Sequence, residues 1–304
     1  MFVSSNTLSA IKAYFREELS MLFSLNEIKH IVKELTVKRF DISGLDYISF
    51  SHTRLSESDL LYYHKVLKRL RKNEPFQYIL GEAWFYDVKL KVDSRALIPR
   101  PETEELVAWI LESYGDNRDS KFMDLCAGTG CLGFAIKSQL PSVNVAVVEY
   151  SDEALELIHE NVEFTGIDIE VLKMDVLSDS DYTQFDKASF DCWVSNPPYI
   201  PNADKERMYA NVLDYEPHMA LFVDDDDPLI FYRKMIRQAA IYLRPEGHVF
   251  FEIHEDLAKA VTILFEDHGF VNIELRKDLQ GKERMVRAQK VSSHHEPEGR
   301  TNRD

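Results

Sequence analysis

The residues best suited to chemistry form the run Ser195-Asn-Pro-Pro-Tyr199, directly after the apolar segment 190–194. Two consecutive prolines remove backbone donors and end a strand, so the carbonyl groups of Asn196 and Pro197 are free to accept hydrogen bonds. Asn196 adds a side-chain acceptor, and Tyr199 adds an aromatic face. The run therefore suits a planar amide or amine and methylation of its nitrogen. Without a cofactor site upstream, a proline-rich turn that only ends a strand is the alternative.

Such a site is indicated by a glycine-containing turn between the apolar segment 121–126 and the helical pattern at 131–140. Gly128 and Gly130 let a ligand approach the backbone closely, and the helix N-terminus offers unpaired N–H groups. The next apolar segment ends in Glu149, nineteen residues past Gly130, where an acid can accept hydrogen bonds from ribose hydroxyls. The turn lacks the three-glycine dinucleotide fingerprint and a phosphate-binding lysine. We therefore expect an adenosine-type cofactor without a pyrophosphate.

Five segments resemble motifs of the protein-(glutamine-N5) methyltransferases that modify peptide chain release factors. These segments are Leu97-Ile-Pro-Arg-Pro-Glu-Thr-Glu104, Asp124-x-x-x-Gly128-x-Gly130, Ser195-Asn-Pro-Pro-Tyr-Ile-Pro201, Glu216-Pro-His-Met-Ala-Leu221 and Asp278-Leu-x-Gly-Lys-Glu-Arg284. The resemblance extends over residues 75–287. It implies transfer of a methyl group from S-adenosylmethionine to the amide nitrogen of the glutamine in the Gly-Gly-Gln motif of class I release factors. The Asn-Pro-Pro-Tyr run alone is shared with adenine-N6 methyltransferases.

The resemblance assigns residues to a cofactor site and to a substrate site. The cofactor set is Asp124, Cys126, Ala127, Gly128, Thr129, Gly130, Glu149, Asp175, Val176 and Asn196. The substrate set is Asn196, Pro197, Pro198 and Tyr199, of which Asn196, Pro197 and Tyr199 are the expected catalytic residues. Cys126 and Ala127 stand where the family usually has Gly and Thr, and residues 224–228 replace a glycine-containing turn.

Within these sets, Asp124 is expected to face the charged amino-acid part of the cofactor. Asp175 follows the predicted strand 168–174, where an acid can accept from an adenine amino group and Val176 can pack on the ring. A helix cap or turn is the other interpretation of Asp175. Ser151 and Asn161 are expected to serve helix structure, Ser151 as an N-cap.

An amide nitrogen is a poor nucleophile, so we expect orientation and charge stabilisation to dominate the mechanism. The Asn196 side-chain oxygen and the Pro197 carbonyl would accept hydrogen bonds from the substrate NH2 and aim its nitrogen at the methyl group. Tyr199 would fix the amide plane. The run contains no obvious general base, which fits direct displacement with the proton leaving after methyl transfer.

The order of apolar patterns predicts an α/β fold of the class I methyltransferase type. Strands and helices alternate from residue 121 onward, which indicates a doubly wound, mostly parallel sheet, with an antiparallel hairpin at one edge. The expected domains are a small helical bundle over 1–74, a β-hairpin linker over 75–97, the methyltransferase domain over 98–290 and a disordered tail over 291–304. The bundle is expected to recognise a macromolecular substrate, or else only to stabilise the fold.

Composition narrows the class of protein. The chain has 304 residues and a formal net charge of −16, which argues against a general nucleic-acid binder. The basic run 65–72 is either a solvated helix face or a docking surface. The three cysteines lack a disulfide or metal spacing, the ten histidines form no ligand cluster, and no signal peptide or bilayer-spanning stretch is present. We therefore expect a cytoplasmic protein with no metal and no membrane contact, and a monomer.

Other activities remain open. A glutamine of a ribosomal protein is an alternative substrate, which only the N-terminal bundle would distinguish. Adenine-N6 methylation of DNA or RNA is disfavoured by the acidic balance and by the lack of an inserted target-reading domain. A helical interaction protein with a retired cofactor site is disfavoured, because every side chain that the motifs need is present.

Overall fold

A computed structural model describes residues 5–115 and 119–291, so the predicted tail lies outside the described residues from 292 onward. The α-helices are α1 Leu8–Leu19, α2 Leu25–Phe40, α3 Asp46–Ser49, α4 Glu57–Leu70, α5 Phe76–Leu80, α6 Pro101–Tyr114, α7 Cys131–Gln139, α8 Asp152–Thr165, α9 Ala210–Tyr215, α10 Ile230–Tyr242 and α11 Ala258–Asp267. The strands are β1 Glu82–Phe85, β2 Val88–Lys91, β3 Lys121–Leu125, β4 Asn144–Glu149, β5 Glu170–Lys173, β6 Phe190–Ser195, β7 Ile200–Pro201, β8 Phe222–Val223, β9 Leu243–Glu252, β10 Phe270–Lys277 and β11 Glu283–Lys290. Short 3-10 helices span Phe50–His52, Asp181–Gln184, Asn202–Arg207, His218–Ala220 and Glu255–Leu257.

Two compact units make up the chain. The first consists of Met1–Glu82 and Met208–Tyr215 and is helical. Its core joins the apolar faces of α1, α2 and α4, and capping boxes fix the starts of α2 and α4. The segment that contains α9 belongs to this unit, where the Tyr215 hydroxyl donates to the Lys72 carbonyl oxygen at 2.9 Å. The sequence patterns gave no indication of this addition from a distant part of the chain.

The second unit, Ala83–Arg207 and the chain from Glu216 onward, contains a seven-stranded sheet in the order β10-β11-β9-β6-β3-β4-β5. Strands β3, β4, β5, β6 and β9 run parallel, and β11 and β10 add an antiparallel edge. The predicted α/β class, with its mostly parallel doubly wound sheet and edge hairpin, is confirmed. β1 and β2 form a separate two-stranded hairpin.

Side chains of β3 alternate between two cores. Phe122 packs in the core that contains residues of α6 and α7, whereas Met123 and Leu125 pack in the core that contains residues of α10 and α11. This period-two alternation places Asp124 on the α7 face, at the carboxyl end of a central strand. Helices on both faces leave the loops after the parallel strands as the edge at which a ligand can enter.

Two stretches differ from the predicted elements. β9 begins at Leu243 rather than at 247, because Leu243 pairs with Phe190 across a register irregularity before His248 pairs with Cys192. Between β6 and α10, where no element was predicted, the chain forms β7, α9, β8 and two 3-10 turns. Elements of two to six residues are too short for periodicity to reveal. Across the described ranges, no helix is long and apolar enough to cross a membrane.

Candidate active site

A cavity of about 430 Å³ opens at the carboxyl ends of β3, β4, β5 and β6. The chain leaves β3 for β4 on one side and later returns to pair β6 on its other side, so this edge holds the topological switch point at which α/β sheets bind ligands. The predicted site residues that line the cavity are Asp124, Cys126, Ala127, Gly128, Thr129, Glu149, Asp175, Val176, Asn196 and Pro198. Gly130, Pro197 and Tyr199 adjoin these residues in the chain without being among those that line it.

The turn after β3 depends on backbone conformations that favour glycine. Gly128 and Gly130 have φ values of +57° and +79°. A Cβ atom at Gly130 would lie 2.8 Å from Cε2 of Phe134, so both conformation and space require glycine there. Cys126 adopts φ +59° without being glycine, which is strained for an L side chain. Glycine would relieve that strain, so the departure from the family pattern has a structural consequence.

Asp124 is buried, and among the described residues only one of its carboxylate oxygens has a partner. Its Oδ2 accepts from the backbone N–H of Gly133 at 3.0 Å, whereas its Oδ1 accepts no hydrogen bond from this part of the chain. Burial, together with the charge of Glu149, raises the pKa of Asp124 to about 8. Since a buried acceptor without a partner is unfavourable, Oδ1 is suited to a cationic or N–H group of a ligand.

Glu149 at the end of β4 is tied to the loops on both sides of it. Its Oε2 accepts from the Gly128 N–H at 2.8 Å, and its Oε1 accepts from the N–H groups of Tyr150 and Ser151 at 2.8 and 2.9 Å. These bonds aim the carboxylate at the cavity and leave one lone pair of Oε2 without a protein partner. The acid thus also holds the glycine turn in place, a role that sequence spacing did not reveal.

Asn161 has a different role from the predicted one. This side chain of α8 is fully buried, and it accepts from the Lys91 N–H at 2.7 Å and donates to the Thr129 carbonyl oxygen at 3.2 Å. The prediction that it serves helix structure is wrong, because its amide joins the β2 hairpin to the cofactor turn. Ser151 does cap α8, accepting from the Ala154 N–H, as predicted.

Asp175 and Val176 follow β5 and reach the same cavity. One carboxylate oxygen of Asp175 accepts from the Leu177 N–H at 2.8 Å, which is the turn contact considered as its other interpretation. Since that bond uses only Oδ1, Oδ2 can still accept from a ligand. Val176 is buried against the core that contains residues of α10.

Beyond β6, a chain of side-chain hydrogen bonds starts at Asn196. Its Nδ2 donates to Thr103 Oγ1 at 3.1 Å, and Thr103 Oγ1 donates to Glu252 Oε2 at 2.6 Å. The Tyr199 hydroxyl donates to the other oxygen of Glu252 at 2.8 Å. Burial raises the pKa of Glu252. Thr103 and Glu252 were missed from the sequence. Thr103 lies in the segment 97–104, and Glu252 ends a buried strand, as Glu149 ends β4.

The segment before α6 is anchored by a second buried acid. Glu216 accepts from the Ile98 N–H at 3.1 Å and pairs with the Arg100 guanidinium at 2.6 Å. Because the Glu216 side chain is only 1% exposed, this ion pair is shielded from solvent on one side. The ion pair fixes the loop that leads to Thr103, and it places the cationic side chain of Arg100 at the wall of the cavity.

Comparison with known proteins places the chain in a family. A family model described as Methyltransferase small domain matches residues 104–214. A release factor glutamine methyltransferase of Flavobacterium psychrophilum is 35% identical over 91% of this chain and 96% of its own length. One of Bacteroides thetaiotaomicron is 34% identical over 92% of this chain and 99% of its own length. The chain belongs to the release factor glutamine methyltransferase family.

A solved structure is also similar to this member of the family. It is a release factor-specific protein-(glutamine-N5) methyltransferase from Alicyclobacillus acidocaldarius, with 24% identity and a TM-score of 0.41 over 66% of this chain and 99% of that chain. The two bacterial relatives of 35% and 34% identity confirm the family inferred from the sequence motifs.

Methyltransferases of this family use S-adenosylmethionine, and the cavity residues of this chain fit that molecule. The unpartnered Asp124 Oδ1 suits its ammonium group, and the Glu149 carboxylate suits its ribose hydroxyls. Asp175 keeps one oxygen for the adenine amino group, beside the apolar Val176. The three acceptor carboxylates therefore match the charged, sugar and base parts of the cofactor in the order of the strands β3, β4 and β5.

Proposed function

We propose that this protein methylates the side-chain amide nitrogen, N5, of a release factor glutamine, the one in the Gly-Gly-Gln motif of class I release factors. The names of its relatives support the substrate class. The observation that carries the proposal for this chain is the position of Asn196. Its side chain lines the same cavity as Asp124, Glu149 and Asp175, so a planar amide and the methyl donor can meet there.

The methyl donor is S-adenosylmethionine, which would supply an electrophilic methyl group from its sulfonium sulfur: the S–CH3 bond would break with its electron pair kept on sulfur, and the cofactor would leave as S-adenosylhomocysteine. Asp124, Glu149, Asp175 and Val176 would hold it, and the backbone of the turn that includes Gly128 and Gly130 would lie against it. Cys126, Ala127 and Thr129 belong to the same turn and would line the cofactor cavity.

The residues of the substrate end orient the amide. Asn196 Oδ1 and the Pro197 carbonyl accept hydrogen bonds from the substrate NH2 and become stronger partners as positive charge develops on its nitrogen. The ring of Tyr199 fixes the amide plane, and the fixed φ angles of Pro197 and Pro198 hold both acceptors in register. Holding the reacting atoms at about 3–3.5 Å supplies a large part of the rate enhancement.

No strong base is needed at this site. The nearest carboxylate in the hydrogen-bond chain, Glu252, is separated from Asn196 by the Thr103 hydroxyl, and both of its oxygens already accept. The amide proton becomes acidic only after the nitrogen has been methylated. It then leaves to solvent.

The helical first unit is proposed to recognise the release factor. None of the described residues that line the catalytic cavity belongs to this unit. It has its own cavity of about 770 Å³, whose lining includes the cationic side chains of Lys12, Arg16, Lys29 and Lys33, the His30 ring, and an apolar floor of Leu25, Ile28 and Val32. In a chain of net charge −16, this local positive surface suits an acidic face of a protein substrate.

We further propose that the protein acts as a monomer in the cytoplasm, where translation factors occur, without direct contact with nucleic acid. Its cysteines at 126, 131 and 192 are free thiols, which fits a reducing compartment.

Methyl transfer from labelled S-adenosylmethionine tests the proposed function. The purified protein is incubated in parallel with a class I release factor, ribosomal proteins and adenine-containing DNA. We expect label only on the release factor, with a mass increase of one methyl group on the peptide that contains Gly-Gly-Gln. Label on a ribosomal protein or on DNA, with none on the release factor, would overturn the proposal.

A further inference from the structure

Glu252 sits behind the substrate end of the site and contacts two separate side chains there. It ends β9 beside β6, in parallel register with the strand that leads into Asn196. Only 2% of the residue is exposed, and its two carboxylate oxygens accept separately from Thr103 and Tyr199. The Tyr232 hydroxyl holds its backbone carbonyl at 3.0 Å. Hydrogen bonds therefore hold both the backbone carbonyl and the carboxylate of Glu252 in place.

The donors and acceptors in this chain can be arranged in only one direction when Glu252 is ionised. A carboxylate has no proton to donate, so both hydroxyl groups must donate to it. The Thr103 oxygen has then used its proton and must accept from Asn196. Only the NH2 end of the Asn196 amide can donate, so its carbonyl oxygen is turned away from Thr103.

This direction matters because an Asn side chain has two ends of nearly equal shape and opposite hydrogen-bonding character. If the amide were flipped, its NH2 would face the NH2 of a substrate glutamine, and two donors would oppose each other. With the present direction, Oδ1 is available as an acceptor at the cavity. Ionised Glu252, which is two hydrogen bonds away, therefore determines which end of the amide faces the cavity.

Charged groups around Glu252 act in opposite directions. Arg284 lies on the neighbouring strand β11, where its backbone carbonyl accepts from the Ile253 N–H, and its guanidinium favours the ionised form of Glu252. Burial is the largest influence and raises the pKa of Glu252, and the charge of Glu102 on α6 opposes ionisation as well. The hydroxyls of Thr103 and Tyr199 stabilise the carboxylate directly.

We infer that Glu252 is a positioning residue for methyl transfer, which acts through Thr103 to present the Asn196 oxygen to the substrate amide and through its second oxygen to hold the Tyr199 ring. This inference rests on the proposed function for the identity of the substrate amide. The hydrogen-bond network itself consists of protein groups and does not depend on which substrate is bound.

A double-mutant cycle between Thr103 and Asn196 tests the inference. Thr103→Val removes the hydroxyl with little change in shape, and we expect the single-turnover rate on release factor to fall roughly 10- to 100-fold. KM and cofactor affinity should change little. Thr103→Ser keeps the hydroxyl and should retain a rate within a few-fold of the wild type. In an Asn196→Ala background, Thr103→Val should cause no further loss, because its target is already absent.

The side-chain amide of Asn196 gives a readout that needs neither cofactor nor substrate. In nitrogen-15 NMR spectra of the wild type, its NH2 protons should exchange slowly, and in Thr103→Val they should exchange at the rate of an unbonded amide.

The variant Glu252→Gln has one acceptor oxygen in place of two, so only one of the two hydroxyl groups can donate to it as before. We expect a reduced rate of methyl transfer in a protein that still unfolds cooperatively. Thr262→Val serves as the control, because in the part of the chain that the structure describes its hydroxyl donates to the Ala258 carbonyl oxygen of its own helix.

The outcomes separate the two proposals. A wild-type protein that leaves release factor unmethylated contradicts the proposed function, whereas the NMR result still decides the network. Equal loss from Thr103→Val with and without Asn196 would overturn the inference, because it would show that Thr103 acts on stability or on the substrate directly. An Asn196 amide whose exchange does not respond to Thr103→Val would overturn it as well.

Discussion

The two ends of the catalytic cavity are built in different ways. At the cofactor end, backbone groups set the geometry: N–H groups of Gly128, Tyr150 and Ser151 hold the Glu149 carboxylate, and left-handed glycines shape the turn. The amide end is formed by side chains, in which Asn196 and Tyr199 take their orientation from Thr103 and Glu252. Backbone sites tolerate changes of side chain but not of conformation, whereas side-chain networks fail when one polar group is lost.

The largest effect is expected at the amide end. Asn196→Ala removes the one acceptor there that mutation can delete, since the Pro197 carbonyl belongs to the backbone. Loss of such an acceptor at developing charge lowers the rate about 10²–10³-fold. Cofactor affinity should stay within a few-fold. Single-turnover transfer to release factor, followed by mass measurement of the Gly-Gly-Gln peptide, measures the effect.

Asn196→Asp is the companion variant. It keeps an acceptor but loses the NH2 that donates to Thr103, and it brings a second negative charge close to Glu252. We expect it to be impaired as well. Near-normal transfer by the alanine variant would mean that Asn196 only shapes the loop, and the contrast between the two ends would then be lost.

Glu149→Ala tests whether the cofactor end depends on this one side chain as well. The change removes the charge-assisted hydrogen bond that the remaining lone pair of Oε2 offers to the ribose, which contributes about 1.5–3 kcal/mol, and it also removes the bonds that hold the turn. We expect affinity for S-adenosylmethionine to fall at least about tenfold. Glu149→Gln keeps an acceptor oxygen toward Gly128 and should lose less. Calorimetric titration that shows unchanged affinity in the alanine variant would refute the assignment.

Gly130→Ala tests the backbone part of the contrast against a matched control. Gly166 has a similar left-handed φ of +68°, but a Cβ there would meet no atom of the described residues within 4 Å. Gly166→Ala should therefore cost only the conformational strain, about 1 kcal/mol. Gly130→Ala adds the contact with Phe134 and should cost about 1–3 kcal/mol more. Urea unfolding measures both, and equal losses would show that the turn can relax around a methyl group.

Asp124 provides a pH-dependent test of the cofactor end. In the protein without cofactor, the pKa of Asp124 is raised to about 8, so the folded state binds a proton that the unfolded state has released between the ordinary pKa of 3.8 and 8. Stability should therefore fall as pH rises through this window, and Asp124→Asn should remove that slope. A cationic ligand group beside Oδ1 favours the carboxylate and lowers its pKa.

Cofactor binding should accordingly release a proton. Titration calorimetry at pH 7 in buffers of different ionisation enthalpy should show release of most of one proton per molecule bound, and none in Asp124→Asn. Binding without proton release in the wild type would show that the ammonium group does not approach Asp124.

The contrast between the cofactor end and the amide end also explains which site residues could be predicted from the sequence. Gly128, Gly130 and Glu149 lie close together in the chain and belong to a strand-turn-helix-strand pattern, so their spacing alone indicated a ligand site. Thr103 and Glu252 are 149 positions apart and carry no local signature. Only the pairing of β6 with β9 brings the end of β9 beside Asn196. Asn161 was misassigned for this reason too, since its partners Lys91 and Thr129 are distant in sequence.

The smallest effect concerns Cys126, the non-glycine residue in the cofactor turn. Its φ of +59° is strained for any residue with a Cβ, by roughly 1–2 kcal/mol. Cys126→Gly relieves that strain but increases the entropy of the unfolded chain, by about 0.5–1 kcal/mol, and leaves the space of a partly buried thiol unfilled. Cys126→Ala leaves a similar space while it keeps the strain. We therefore expect the glycine variant to be more stable than the alanine variant by up to about 1 kcal/mol in urea unfolding, with cofactor affinity within a few-fold of the wild type in both. If the alanine variant were the more stable, the turn would not be held in its left-handed conformation by Glu149 and Asn161, and the description of the cofactor end as a rigid backbone site would fail.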